Sequence, residues 1–182
     1  MKIIFLGSQG SGKSTQAKLL AQKLGLPCIE MGQIFRARAK DNDLDAFEIR
    51  KALELGELVP DGLAIKTLHR RLTDTDCKNG YVLDGYPRNY AQLEGLDQDI
   101  DRVFYVRVSD QEGIKRSIVR GRHDDNLKLL TRRLELYHKR TEPLLSYFRQ
   151  KGILEEIDGE RTIETIAKDV AERINNAKLE SP

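Results

Sequence analysis

The residues best equipped for chemistry in this chain are a lysine in a glycine-rich turn and a scatter of arginines. The segment GSQGSGKST, residues 7–15, follows an apolar run, Ile3 to Leu6, and precedes a helix-period segment, Lys13 to Leu24. Its spacing is G-x-x-x-x-G-K-[ST] in the strand, loop and helix context that this pattern requires. Its glycines let backbone N–H groups turn inward around phosphate oxygens, and the helix N-terminus adds its dipole. Lys13 then reaches the outer phosphates, and Ser14 offers a hydroxyl to Mg²⁺. A chance glycine-rich turn would carry no such context. The loop therefore predicts binding of a nucleoside triphosphate, without separating a kinase from an ATPase or a GTP switch.

A second cluster is GYVLDGYPRNYAQ, residues 80–92. An apolar run ends in Asp84, and a turn with Gly85, Pro87 and Arg88 follows. Ligands of open α/β sheets sit beyond the carboxyl ends of strands. Asp84 is thus placed for an acidic contact to the Mg²⁺ shell, and Arg88 for gripping an acceptor phosphate. The plain alternative is an ordinary Asp-Gly turn. A third cluster is VRGRHDDN, residues 119–126, with Arg120 and Arg122 one residue apart and His123, Asp124 and Asp125 after them. A metal site there lacks partner ligands at suitable spacing, and a solvated charge run is the bland reading. His69, His123 and His138 stand at no metal-ligand spacing to another His or Cys, so each reads as a surface or helix-face residue.

The elements that position these groups follow from periodicity. Strand-like runs lie at Ile3 to Leu6, Cys28 to Glu30, Tyr81 to Leu83, Val103 to Val108 and Ile153 to Ile157. Helix-period segments lie between them. Lys13 to Leu24 places Leu20 and Leu24 on one face. Leu63 to Leu72 carries Ile65, Leu68 and Leu72, with Asp61 as its N-cap. Ser109 to Glu112 reads as a capping box opening a helix to about Arg120. A long helix with Leu127, Leu130, Leu134 and Tyr137 on its apolar side follows, kinked or ended by Pro143. A last helix turns Ile163, Ile166, Val170 and Ile174 inward. Leu179 to Pro182 reads as a disordered tail. Strands alternating with helices predict βαβ units and a parallel sheet covered on both faces. Residues 31–59 hold helical pattern and no strand, which reads as a small helical insertion.

Composition sets the outer limits. The 182 residues suit one domain, with 39% hydrophobic and 33% charged residues. The 31 basic and 29 acidic residues leave a net charge of +2, which points to no nucleic acid and no membrane surface as partner. Two cysteines, Cys28 and Cys77, form no CxxC, which argues against zinc and against a disulfide framework. No apolar run approaches the ~20 residues of a membrane span, and MKIIFLG has no signal-peptide length. The expectation is a cytoplasmic protein.

Taken together, GSQGSGKSTQAKLL, MGQIFRA, LELGELVPD, GYVLDGYPR with Gln92, RHDDN, RRLELY and TEPL resemble the adenylate kinases, and more broadly the nucleoside monophosphate kinases, over residues 1–161 in the family's order. The resemblance implies a three-layer α/β/α P-loop fold with a five-stranded parallel sheet. It implies a core of residues 1–29 and 60–182, a monophosphate-binding insertion at 30–59 and a vestigial lid at 120–122. ATP would lie on Gly10, Ser11, Gly12, Lys13, Ser14 and Thr15, with Arg116, Arg120 and Arg161 on its side. AMP would meet Met31, Arg36, Glu57, Leu58, Val59, Gly85, Tyr86, Pro87, Arg88 and Gln92, the last reading adenine. Arg122 and Arg133 would bridge to the phosphoryl group in transfer, Lys13 and Arg88 completing the catalytic set. Ser14 and Asp84 would hold Mg²⁺, partly through water. Asp124 and Asp125 match an acidic pair that orients the arginines. The implied reaction is reversible transfer from ATP to AMP, giving two ADP.

The sequence departs from the family's pattern at five places. Gln9 stands for a usual proline, Ser14 for a glycine, Gln33 for an aspartate near the metal's water shell, and Met31 for a threonine beside the base. The fifth is the lid, reduced to one glycine between Arg120 and Arg122. A kinase must exclude water from its triphosphate, so a neighbouring subunit of a homo-oligomer or an ordered neighbouring loop is expected to cover it. The rival readings are a kinase for UMP, CMP or GMP, a small-molecule kinase on the same core, and a P-loop nucleotide sensor. Four arginines gathered on one phosphate favour turnover over sensing.

Overall fold

The computed structural model describes residues 1–122 and 125–179. Five parallel strands make one sheet: β1 (Lys2–Leu6), β2 (Cys28–Glu30), β3 (Tyr81–Asp84), β4 (Arg102–Arg107) and β5 (Leu154–Asp158), in spatial order β2-β3-β1-β4-β5. Every neighbouring pair is parallel, with Ile4 opposite Leu83 on one side and Val103 on the other. The reason lies in the strand sequences. KIIFL, YVLD and the centre of RVFYVR are apolar at successive positions, so both faces need cover.

The cover is helical on both sides. Ile3, Phe5, Val82, Phe104 and Val106 face a layer built from α1 (Lys13–Leu24) and α8 (Ile163–Leu179), through Ala17, Leu20, Ile166, Val170 and Ile174. Ile4, Leu6, Leu83, Val103 and Tyr105 face the other layer. That layer holds α2 (Met31–Arg38), α3 (Leu44–Leu55), α4 (Asp61–Leu72) and the run from Tyr137 to Phe148. The sheet is therefore the middle of three layers, as expected. α5 (Asp110–Arg120) and α6 (Leu127–Leu136) lead into a π-helical turn at Tyr137–Thr141, and α7 (Leu144–Gln150) begins after Pro143.

Several local expectations are corrected. Asp61 does not cap α4: the position before the helix is Pro60, and the Asp61 carboxylate instead accepts from Asn89 and Gln92. The capping box at Ser109 does not form, because Glu112 turns to Arg116 and the Ser109 N–H donates to Glu160 from another loop. Leu127 and Ile163 are exposed, at 60% and 52%. Each is the first residue of its helix, where periodicity continues but no neighbouring element covers it. The break in the long helix comes at the π-helical turn before Pro143, where the Glu142 N–H bonds the Tyr137 carbonyl. Leu179 closes α8 rather than opening a tail; residues 180–182, His123 and Asp124 lie outside the described residues.

Candidate functional site

A cleft opens beyond the carboxyl ends of β1, β2 and β3. Its walls include Lys13, Ser14, Arg36, Glu57, Leu58, Val59, Asp84, Gly85, Tyr86, Arg88, Gln92, Arg120, Arg122 and Arg133. These groups come from seven separate stretches of chain, and the fold brings them to one place. The parallel sheet does this physically. Each strand delivers its following loop to the same edge, so Gly7–Gly12, Glu30 and Asp84–Arg88 emerge side by side.

The glycine-rich loop is held from behind. Gly10 has φ +75°, and a Cβ there would stand 2.0 Å from the Gly113 carbonyl oxygen. A Cβ on Gly113 would in turn meet the Gln9 carbonyl at 2.6 Å. The loop and α5 thus pack backbone on backbone through two glycines. Sequence reading missed Gly113, although a glycine inside a helix disfavours it by about 1 kcal/mol and so signals a packing reason. Gly10, Ser11 and Gly12 lie behind the cleft wall, and Thr15 is exposed on α1.

Lys13 is buried at 9% exposure and donates to the Ser8 carbonyl at 3.1 Å. Its ammonium is pushed down to about 8, chiefly by burial, against the pull of Asp84 and with help from Arg88, Arg120 and Arg122. Ser14 Oγ donates to Asp84 Oδ2 at 2.5 Å, while Asp84 Oδ1 is buried without a hydrogen-bond partner among the described residues. One buried carboxylate oxygen awaiting a partner beside a hydroxyl fits a hard, oxygen-seeking cation. Gln33 and Lys18 both turn to the Glu30 carboxylate.

The arginines divide into two groups. Arg88 is fixed at three points: its N–H donates to Gln92 Oε1 (2.8 Å), its Nε to the Gly85 carbonyl (3.0 Å), and its carbonyl accepts from Thr141 Oγ (2.8 Å). Thr141 is supplied by the π-helical turn, a feature that sequence periodicity did not reveal. The second group surrounds Asp125, whose side chain is only 1% exposed. Asp125 accepts from Arg120 Nε and Nη2 at 2.9 and 3.0 Å and from the Arg122 N–H at 3.3 Å, and lies 3.9 Å from Arg133 Nη1. One carboxylate thus grips the Arg120 guanidinium, holds the Arg122 backbone and lies near Arg133.

Asp125→Asn is expected to lower turnover roughly 10²-fold, since small misplacement of a positioned charge has that scale of effect. Breaking a buried pair removes about 3–5 kcal/mol. Arg120 is 37% exposed, so a loss of about 1–3 kcal/mol is expected here. Steady-state kinetics and a denaturant midpoint check both.

Other expected residues sit apart from the cleft wall. Arg116 ties α5 to the loop after β5, donating to Glu112 and to the Gly159 carbonyl at 2.7 Å. Arg161 pairs with Asp169. Met31 is wholly buried, its Cβ 3.9 Å from a Cβ placed on Gly85. Pro87, joined by a cis peptide to Tyr86, is buried beside the lining. His69 is exposed, and His138 joins Asp110 to Glu142, which hold its imidazole above the usual histidine range. Cys28 and Cys77 are free, and among the described residues no three His, Cys, Asp or Glu side chains gather as a metal cage.

The cleft wall also contacts α6. A Cβ on Gly56 would lie 3.2 Å from Leu129 Cδ2, and Arg132 pairs with Glu57 at 3.2 Å. The residues after α3 therefore touch α6 beside the cleft.

Comparison with known proteins agrees with this architecture. The family model described as adenylate kinase matches residues 5–153. The chain is similar to proteins named adenylate kinase from Leptospira biflexa serovar Patoc (35% identity over 184 residues, 95% of this chain and 99% of the relative). Another comes from Pseudarthrobacter chlorophenolicus, at 35% identity over 97% of this chain and 98% of the relative. A third comes from Bifidobacterium longum, at 38% identity over 92% and 96%.

Proposed function

Because this chain belongs to the adenylate kinase family, we propose that it moves the terminal phosphoryl group of ATP to AMP, reversibly, giving two ADP. The observation that carries this reading is the convergence of Lys13, Arg88, Arg120, Arg122 and Arg133 on one cleft between the phosphate loop and the 30–59 insertion. Phosphoryl transfer asks a protein for positioning and charge neutralisation rather than covalent chemistry. An AMP phosphate oxygen forms the new P–O bond, and the bond from the γ-phosphorus to the β-bridging oxygen breaks as ADP leaves. Lys13 bears on the triphosphate. Arg36 and Arg88 grip the monophosphate, and Arg122 and Arg133 neutralise charge between them. Arg120 lines the ATP side, and Arg116 and Arg161 are assigned to that side by the family resemblance while standing outside the cleft wall. Glu57, Leu58, Val59 and Gln92 flank the AMP base, with Met31 behind Gly85.

Mg²⁺ fits the site on the unpartnered Asp84 Oδ1 and the adjacent Ser14 hydroxyl. Held by Asp84 and Ser14, it would supply positive charge that neutralises the phosphates. Ser14 thereby takes the part that a carboxylate at position 33 would otherwise share.

With the lid reduced to Gly121, cover within the chain would come from α6, which meets Gly56 and Glu57 at the cleft wall. The experiment is ADP formation from ATP with AMP, GMP, CMP or UMP, run beside light scattering. The reading expects strong acceleration by AMP and little phosphate release from a monomer. Acceleration by none of the four contradicts the kinase reading. Tight coupling only in an oligomer would move the cover to a neighbouring subunit.

A further inference from the structure

Gln92 is held unusually completely for a residue that faces ligand. It is 2% exposed and lines the cleft. Its backbone N–H donates to Asn89 Oδ1 (3.1 Å) and its carbonyl accepts from Tyr86 Oη (2.6 Å). Its side-chain Oε1 accepts from the Arg88 N–H at 2.8 Å, and its Nε2 donates to Asp61 Oδ1 at 2.9 Å. Asn89 Nδ2 donates to the same Asp61 oxygen at 2.7 Å, steadying the carboxylate.

A primary amide is nearly symmetric in shape, so its polarity reverses on a half-turn unless its partners forbid it. Here they do. A backbone N–H only donates and a carboxylate only accepts. Reversal would set N–H against N–H and oxygen against carboxylate. We propose that Asp61 is a positioning residue that fixes the polarity of the Gln92 amide, and through it selects 6-aminopurines over 6-oxopurines. The inference rests on the reading of this cleft as a monophosphate kinase site.

With polarity fixed, Gln92 keeps one lone pair on Oε1 and one hydrogen on Nε2 for the base. Adenine matches that pair, since its 6-amino group donates and its N1 accepts. Hypoxanthine reverses both, with an accepting O6 and a donating N1–H. In the same pose it meets donor against donor and acceptor against acceptor. A free amide would turn over and accept it. Asp61 itself is not part of the cleft wall and acts only through Gln92. Its place in the first turn of α4 offers a purely structural alternative, through the helix dipole.

The test compares kcat/KM for AMP and for IMP, with ATP as donor, in the wild-type chain and in Asp61→Ala, Asp61→Ser and Asp61→Asn. Serine keeps a good helix-start residue but withdraws the acceptor from Gln92. The AMP:IMP ratio is expected to fall at least about tenfold in the alanine and serine variants, because a site that loses its hydrogen-bond pattern loses discrimination. That change should come mainly from KM, with kcat for AMP little altered. Asparagine, which retains an accepting oxygen, should keep most of the ratio. A ratio within about twofold of wild type in whichever of the two folds would overturn the proposal, whatever happens to Tm. Loss of the ratio in the asparagine variant as large as in serine would overturn the acceptor argument. A wild-type chain that does not phosphorylate AMP contradicts the kinase reading itself and removes this inference with it; the variants decide only the role of Asp61.

Discussion

Arg88→Ala is expected to lower kcat by roughly 10³ to 10⁵-fold, the scale at which one arginine acts on a phosphoryl group in flight. The structure explains why this arginine is worth so much. Arg88 enters the cleft already oriented, with its backbone held by Gln92 and Thr141 and its Nε by the Gly85 carbonyl. Little ordering remains for the moment of reaction, so the charge is preorganised. Burial weakens its hold on the proton, and a phosphate entering the cleft offsets that desolvation. The fold should survive, since the backbone bonds of residue 88 do not depend on its side chain. Arg88→Lys should recover little, because an ammonium lacks the fork that binds two phosphate oxygens in a plane. Circular dichroism and steady-state kinetics of the two variants separate these expectations. A kcat within tenfold of wild type in Arg88→Ala would reduce the residue to a turn former.

Lys13→Met is the second large effect, and it has opposite signs on activity and on stability. Turnover should fall at least about 10²–10³-fold, the usual loss when a positioned donor to developing charge is removed. The unliganded protein should become more stable. The Lys13 ammonium is pushed from 10.5 down to about 8, mainly by burial. Below pH 8 both folded and unfolded chains carry the proton, and the desolvation penalty is fully present. Between 8 and 10.5 the unfolded chain binds more protons than the folded one, so stability rises with pH and the penalty fades. The shift corresponds to roughly 3 kcal/mol, from which the lost bond to the Ser8 carbonyl subtracts on the order of 1 kcal/mol. A gain of about 1–3 kcal/mol below pH 8 is therefore expected in Lys13→Met, shrinking toward pH 10. ATP should stabilise the wild type more than the variant, because ligand binding to the folded state adds stability by mass action. Thermal melts with and without ATP across that pH range check the signs. A variant less stable than wild type at pH 7 would contradict them.

Both expectations concern residues visible in the sequence, and this reflects how the fold works. Runs such as KIIFL and RVFYVR must be buried on two faces, so their alternation with helix-period segments implies a parallel sheet with helices on both sides. A parallel sheet then sends GSQGSGKST and DGYPR to one edge, and Lys13, Ser14, Asp84 and Arg88 meet there without further information. The arginines around Asp125 were legible only through the family resemblance, since RGRHDD by itself also reads as a solvated charge run.

What stayed hidden depends on partners far away in sequence. Asp61 reads as a helix cap because a cap is the local use of an aspartate at that place. Its actual partners, Asn89 and Gln92, lie 28 and 31 residues on. The Ser109 box fails because Glu160, 51 residues away, takes the backbone N–H that Glu112 would have used. Leu127 and Ile163 have the right period for burial but stand at helix starts where nothing packs. The π-helical turn at Tyr137–Thr141 inserts one residue into the helical count, and Thr141 at its end donates to the Arg88 carbonyl.

Beside the cleft, α6 meets the residues that follow α3. Gly56 and Glu57 meet Leu129 and Arg132 directly. An exposed ion pair contributes at most about 1 kcal/mol, so the Arg132–Glu57 pair by itself holds this contact only weakly.

The central claim, that one cleft holds donor and acceptor nucleotides together and passes a phosphoryl group between them in either direction, is tested most directly from ADP alone. Purified chain with Mg²⁺ and ADP as the only nucleotide should yield ATP and AMP in equal amounts by ³¹P NMR, with no free phosphate, until equilibrium is reached. Release of inorganic phosphate from ADP, or no change in the nucleotide signals, would contradict it.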